Sequence, residues 1–372
     1  MKRVIELGQI VAGPTAGLIF ADMGFEVIKV EKPGSGDVSR ELNGTSAGTF
    51  MYYNRGKKSL ELDIKTDFGK EVLTKLLSTA DIIVENMAPG TMKKIGFSYE
   101  DVKKINSRII YVSIKGYMEG PYENRKSLDY PIEIESGLAY MTGTKDRPMR
   151  MGASIVDMVA AILGVTKAFQ LISENKGGLV EIGLFETAMF LAGQHIATYE
   201  IEKKDLEPIN EMNFAWGIYD YFMSSDNKKL FIAVATDDQW KKFCEGFGLQ
   251  SIITDEKFSS NNARYMHRDF LIPLIQKKLL SMKYEEIKNV LDLYNISYGT
   301  LNKPWDLLHD PQALKYMVNM NYNNNSYEVP RLPFSVAQNN NAPTLGNCTK
   351  KILSDLGYSD TRIEEAIKTM IK

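Results

Sequence analysis

The sequence predicts an α/β protein with a parallel sheet covered on both faces and a smaller α+β domain. Three observations carry this. The first third alternates short apolar runs with helical patterns, as successive β-α-β units do. The run at residues 82–84 is apolar throughout, as in a strand buried on both faces. After Lys204 the pattern changes to that of a hairpin followed by helices.

Residues 4–7 form the first apolar run, closed by Gly8. Gly13 and Pro14 open a helix through Met23, and Gly24 ends it; proline suits a first helical turn and glycine an exit. Residues 25–31 read as a strand through Val27, Ile28 and Val30, and residues 58–63 as another. Phe68, Val72, Leu73, Leu76 and Leu77 recur at helical spacing over residues 66–78. Residues 82–84 and 108–114 are further strands, with a short helix between them that Ser98 caps. A long helix is expected over residues 155–175, stopped by Gly177 and Gly178, then a strand at 179–184 and a helix at 186–204.

Residues 217–223 and 229–235 pair as a hairpin around Ser224-Ser225-Asp226-Asn227. Thr236 and Gln239 form a capping box for the next helix. Helices follow over 264–282 and 284–293, residues 338–342 form a polar loop, and helices fill 346–372. The expected organisation is a large domain over 1–204, a small α+β domain over 205–320, and a return to the large domain over 321–372.

Apolar residues make up 44% and charged residues 25% of the 372 positions, a globular balance. The net charge of -2 lacks the basic surplus of a nucleic-acid binder. The amino-terminal run is too short for a secretory leader. No stretch approaches 18 uninterrupted apolar residues, so no membrane span is expected. The two cysteines, Cys244 and Cys348, make no disulfide framework, which suits a reducing compartment such as the cytoplasm. The three histidines, His195, His267 and His309, form no ligand-like pair, so no metal is expected.

The turn Gly8-Gln9-Ile10-Val11-Ala12-Gly13-Pro14 joins the first strand to a helix. Small residues let a ligand approach the backbone, and a helix start attracts anions; an ordinary tight turn reads the same way. Lys32, Arg40, Lys57, Lys58, Lys65, Asn86, Lys93 and Lys94 fall at loop positions. Loops after parallel strands converge on one crevice, where cations suit a polyphosphate ligand. A solvated surface gives the same pattern. Asp157 lies in Gly152-Ala153-Ser154-Ile155-Val156-Asp157-Met158. A carboxylate among small and apolar residues is costly without partners or a task. The helix dipole is expected to favour its ionised form. So placed, it can attack an acyl carbonyl, or merely complement the helix start. Glu133 and Glu135 are further candidate carboxylates, but they alternate with Ile132 and Ile134 as on the wet face of a strand. His195 reads as a packed or simply bonded residue of an amphipathic helix.

Taken together these segments resemble the family III CoA-transferases. The run Val11-Ala12-Gly13-Pro14, then Asp22-Met23-Gly24-Phe25-Glu26-Val27-Ile28-Lys29-Val30-Glu31 and Gly34-Ser35-Gly36-Asp37, is similar to that family's start. So are Asn54-Arg55-Gly56-Lys57-Lys58-Ser59-Leu60-Glu61-Leu62-Asp63 and Val84-Glu85-Asn86-Met87-Ala88-Pro89-Gly90. Ser136-Gly137, the Gly-x4-Asp around Asp157, Pro343-Thr344-Leu345-Gly346 and Leu356-Gly357-Tyr358-Ser359 complete the likeness, which runs nearly end to end. Formyl-CoA and carnitine CoA-transferases are of this kind, and α-methylacyl-CoA racemase shares their fold.

The resemblance implies a Rossmann-like large domain that holds coenzyme A, and an interlocked homodimer in which the partner's small domain closes the site. It implies Asp157 as the nucleophile, carrying an acyl group and then CoA. Leu62 and Lys65 would flank the adenine, Asn86 and Lys94 would lie along the nucleotide and its phosphates, and Lys32 near another phosphate. The substrates implied are an acyl-CoA and a carboxylic acid. In the racemase branch a His precedes the Asp of the segment here reading Ser127-Leu128-Asp129-Tyr130. Leu128 stands in its place and cannot move a proton. Asp237 aligns with that branch's supporting Glu. No glycine-rich run lies between Asp205 and Gly217. An acyl-CoA racemase or epimerase, and a CoA-binding homologue without catalysis, are the alternative readings.

Overall fold

The computed structural model describes residues 2–209, 211 and 216–370. The chain divides into two compact units: Met1–Glu211 with Gln312–Lys372, and Met212–Pro311.

The first unit holds a six-stranded parallel sheet of β1 (Arg3–Glu6), β2 (Glu26–Glu31), β3 (Lys58–Glu61), β4 (Ile82–Glu85), β5 (Ile110–Lys115) and β6 (Gly178–Gly183). Their spatial order is β3-β2-β1-β4-β5-β6, that of a dinucleotide-type doubly wound sheet. Successive side chains point to opposite faces, and both faces are covered. Val4, Val27, Ile82 and Val112 pack against α1 (Ala12–Asp22), the helix Ile155–Ser173 and the helix Leu184–Glu202. Ile5, Ile28, Leu60 and Ile83 pack against the helix Asp67–Thr79 and the carboxy-terminal residues Ile352, Leu353 and Tyr358. In the register, Val4 lies beside Val27 and Ile82; a one-residue slip would exchange the two cores. Numbered in chain order, α2 is Asp67–Thr79, α3 is Asp129–Glu135, α4 is Ile155–Ser173 and α5 is Leu184–Glu202.

Helix α4 is long and apolar, with a mean hydropathy of 1.8. Its Val156, Ala160, Ala161, Gly164, Val165 and Ala168 face is buried against the sheet. Gly164 admits the sheet closely, since a Cβ there would stand 3.1 Å from the Val112 side chain.

Strand β3 is an edge, and the carboxy-terminal segment covers it. The Ser59 N–H donates to Asn347 Oδ1 (3.0 Å), the Cys348 N–H to the Ser59 carbonyl (3.1 Å) and the Glu61 N–H to Thr349 Oγ1 (2.9 Å). Arg55 and Asp22 form a buried two-pronged pair, 2.6 Å at each contact.

In the second unit β7 (Ile218–Met223), β8 (Lys229–Val234) and β9 (Ser297–Thr300) form an antiparallel sheet. The Thr236–Gln239 capping box is present, with N–H to side-chain distances of 3.1 and 3.2 Å. The helix expected over 264–282 is instead two, Asn261–Met266 and Arg268–Leu279. His267 separates them, its ring Nδ1 2.9 Å from the Ala263 carbonyl oxygen. Part of the stretch between Asp205 and Gly217 lies outside the described residues, as do the last two positions of the terminal helical region.

The strand expected around Glu133 and Glu135 is the helix α3. Four alternating residues do not separate the two periods, and Pro131 sits in the first helical turn, where its missing N–H costs nothing. Glu133 is not on a wet face; it is wholly buried.

Candidate active site

Strands β1 and β4 are parallel neighbours, but the chain continues from them toward opposite edges of the sheet, to β2 and to β5. Ligands bind in the crevice outside the carboxyl ends at such a switch point. A cavity of about 660 Å³ lies there. Residues 9–12 after β1, 86–89 after β4, 114–116 at the end of β5 and 125–128 line it, with Pro131, Glu135, Leu184 and Asp157.

The turn after β1 is held from several sides. Gly8 and Gly13 touch: a Cβ on Gly8 would stand 2.7 Å from the Gly13 Cα. The Gln9 N–H donates to Asn86 Oδ1 (2.8 Å), and Asn86 Nδ2 donates to the Gln9 carbonyl (3.0 Å). Ile10 has φ +67°, a conformation that is a genuine outlier for a β-branched residue. Its N–H donates to the Asp37 carboxylate at 3.2 and 3.3 Å. Lys29 Nζ donates to the Gly8 carbonyl (2.7 Å) and pairs with Glu6 (2.9 Å) and Asp37 (2.8 Å). Helix α1 starts at Ala12, and neither the Val11 nor the Ala12 N–H has a hydrogen-bond partner among the described residues.

Asp157 is in the first turn of α4. Its carboxyl makes no hydrogen bond or ion pair among the described residues, and burial, with the charge of Asp129, pushes it up to about 7. Arg150 opposes that shift. Burial and the Asp129 charge outweigh the pull of the helix start toward the ionised form. The Val156 and Asp157 N–H groups both donate to Asp129 Oδ1, at 3.1 and 3.2 Å. The helix start already has its anion. Arg150 Nη2 in turn donates to Asp129 Oδ2 and to Ser154 Oγ, each at 2.9 Å. Glu133 accepts the Met151 N–H (2.9 Å) and is itself pushed up to about 7, chiefly by burial.

Of the sequence-predicted residues, the cavity brings together Asp157 and Asn86. Lys32 follows β2, Leu62 and Lys65 follow β3, and Lys94 lies in the short helix Thr91–Ile95. These four stand on segments that follow β2, β3 and β4 at the carboxyl edge of the sheet and do not line the cavity. Leu62 is buried, while Lys32, Lys65 and Lys94 are exposed and take part in no ion pair among the described residues. Three of the loop cations are not available to a ligand in the expected way. Lys57 is buried, paired with Glu6 at 2.6 Å, and its ammonium is pushed down to about 8, burial being the main cause. Arg40 clasps Glu31 through two contacts of 2.7 Å. Lys58 pairs with Glu26 at the other end of the sheet. His195 is half-buried in a separate groove with Tyr140 and Tyr199.

Three cations at the cavity were missed. Lys115 ends β5 and pairs with Glu181; Arg125 pairs with Glu135 at 2.6 Å; Lys126 has no ion pair among the described residues. A Lys at the carboxyl end of a strand was the available signal for Lys115.

The family model for CoA-transferase family III matches residues 2–349. A succinyl-CoA:glutarate CoA-transferase of Mus musculus is 28% identical, over 98% of this chain and 88% of its own. A formyl-CoA:oxalate CoA-transferase of Afipia carboxidovorans is 27% identical, over 98% and 95%. The crystal structure of a CAIB/BAIF family protein from Brucella suis superposes with a TM-score of 0.82 at 27% identity, covering 95% of this chain and 98% of its own.

Proposed function

The chain belongs to CoA-transferase family III, and on that premise we propose that it moves CoA between carboxylic acids by way of covalent intermediates on Asp157. The observation that carries this is the unpaired Asp157 carboxyl in the wall of the switch-point cavity, held on a helix start whose N–H groups Asp129 already occupies.

The ionised Asp157 attacks the thioester carbonyl of the donor. The carbon–sulfur bond breaks, CoA leaves as thiolate, and a mixed anhydride remains. The thiolate then attacks the aspartyl carbonyl of that anhydride. The donor acid departs as carboxylate, leaving an aspartyl-CoA thioester. The acceptor carboxylate attacks this thioester, releasing the thiolate again and giving a second anhydride. Thiolate attack on the acceptor's acyl carbon yields the new acyl-CoA and free Asp157. The unpartnered Val11 and Ala12 N–H groups at the cavity wall suit the oxyanion formed at each attack. A carboxylate whose ordinary value is raised is also a more basic, hence stronger, nucleophile once ionised.

Lys32, Lys65 and Lys94 are assigned to the phosphates and adenine region of CoA, Leu62 to the adenine, and Asn86 to the path of the nucleotide. Their free ammonium groups and shared sheet edge support this. Lys126 is a further cation for the same ligand. Phe190, Ile196 and Ile201 of α5, with relative exposures of 72%, 51% and 78%, support a second copy of the chain covering that helix. Free thiols at Cys244 and Cys348 suit the cytoplasm. Leu128 lines the cavity with its side chain exposed, where racemase chemistry would need a proton carrier.

The test is a donor–acceptor screen read by mass spectrometry of CoA esters, with succinyl-CoA, glutarate and oxalate first. Transfer, with hydroxylamine trapping at Asp157, is expected. Exchange of an α-proton in deuterated water without transfer would replace this reading with a racemase. Binding with neither reaction would make the protein a non-catalytic CoA carrier.

A further inference from the structure

We propose that Asp37 is a positioning residue of this site: through the Ile10 N–H it holds the bend at Gln9 and Ile10 left-handed, and so fixes the Val11 and Ala12 N–H groups at the cavity wall. The inference rests on the reading of Asp157 as the acyl-carrying group.

Three facts combine. First, Ile10 is held at φ +67°, which a β-branched residue adopts only when its surroundings impose it. Second, the imposing groups are side chains reaching in from other segments, two loops and strand β2. Asp37 takes the Ile10 N–H, Asn86 takes both the N–H and the carbonyl of Gln9, and Lys29 takes the Gly8 carbonyl. Third, Asp37 is itself over-determined. It is buried, and its carboxylate also accepts from the Ser39 N–H (2.8 Å) and hydroxyl (2.7 Å) and pairs with Lys29 (2.8 Å). Such a carboxylate cannot relax toward solvent, so the strain in the bend is kept. Without it, Ile10 would return to a right-handed or extended conformation, and the two residues that follow would turn with it.

The test is a double-mutant comparison on the full chain, with succinyl-CoA and the best acceptor found by the screen. Asp37→Ala should lower kcat tenfold or more while the KM for acyl-CoA changes less than about threefold. Ile10→Gly should recover most of that loss when combined with it, because glycine adopts the left-handed conformation freely. A general packing defect would not be relieved by that substitution. Should Asp37→Ala not fold, Asp37→Asn, which keeps an acceptor oxygen but no charge, is compared in the same way, with a smaller loss and the same rescue expected. Full activity of the Asp37 variants, or a loss that Ile10→Gly leaves untouched, overturns the proposal. Asp157→Asn run in parallel separates the two ideas: if it retains transfer, the parent reading fails, whatever Asp37 does.

Discussion

Asp157→Asn should abolish transfer and yet stabilise the fold. In the folded protein the Asp157 carboxyl is raised from 3.8 to about 7, burial being the largest cause and Asp129 the next. The unfolded chain gives up this proton near pH 4, whereas the folded chain keeps it until about pH 7. Stability is therefore lost as pH rises across that window. A shift of about three units at ~1.4 kcal/mol each sets a ceiling of about 4 kcal/mol at pH 8. Water reaching the carboxyl from the cavity reduces this, and roughly 1–2 kcal/mol is the expected gain for the uncharged amide. For a chain of this size that is a rise in Tm of about 1–3 °C. Differential scanning fluorimetry of both proteins at pH 8 and pH 5 measures it. The gain should be largest at pH 8 and less than half as large at pH 5, where the native aspartate has yet to ionise. If the Asp157→Asn variant is no more stable than the native protein at pH 8, or is equally stabilised at both values, the argument that this carboxylate is held in a costly state is refuted.

Other outcomes follow from the same geometry. Acylation of the enzyme in a single turnover should rise with pH through about 7 and then level off; Arg150→Ala should move that midpoint upward, since Arg150 favours the ionised form. A flat profile between pH 5 and 8 would contradict it. Lys65→Ala should raise the KM for acyl-CoA about three- to tenfold with little change in kcat, as titration calorimetry with CoA would also register; a defect confined to kcat would remove Lys65 from the ligand. Arg55→Ala leaves the buried Asp22 carboxylate without its partner and should cost about 3–5 kcal/mol in urea denaturation, with transfer per folded molecule retained.

Much of the fold was legible because strands buried on both faces of a parallel sheet carry mostly apolar runs, as residues 82–84 do throughout and residues 4–7 do apart from Glu6. The break at His267 was not legible, since the helical period continues across it. Asp157 stood out through its apolar neighbours and its motif, but its raised proton affinity did not. That depends first on burial and then on Asp129, 28 positions earlier, which the fold brings to the same helix start. The loop cations misled for a related reason. Charge in a sequence says nothing of burial, so Arg40 and Lys57 looked as free as Lys32 and Lys65. Lys29 carried a signal that was passed over: an ammonium in the middle of Val27-Ile28-Lys29-Val30 must find anions inside the protein.

The strap over β3 bears on how the protein is made. Residues 346–349 are translated long after the strand they cover, with the whole second unit synthesised in between. A nascent chain therefore carries a bare sheet edge on the ribosome until residues 346–349 emerge, and such an edge invites pairing with a neighbouring chain. Premature stops or carboxy-terminal nicks that spare every residue of the cavity should for this reason yield insoluble protein.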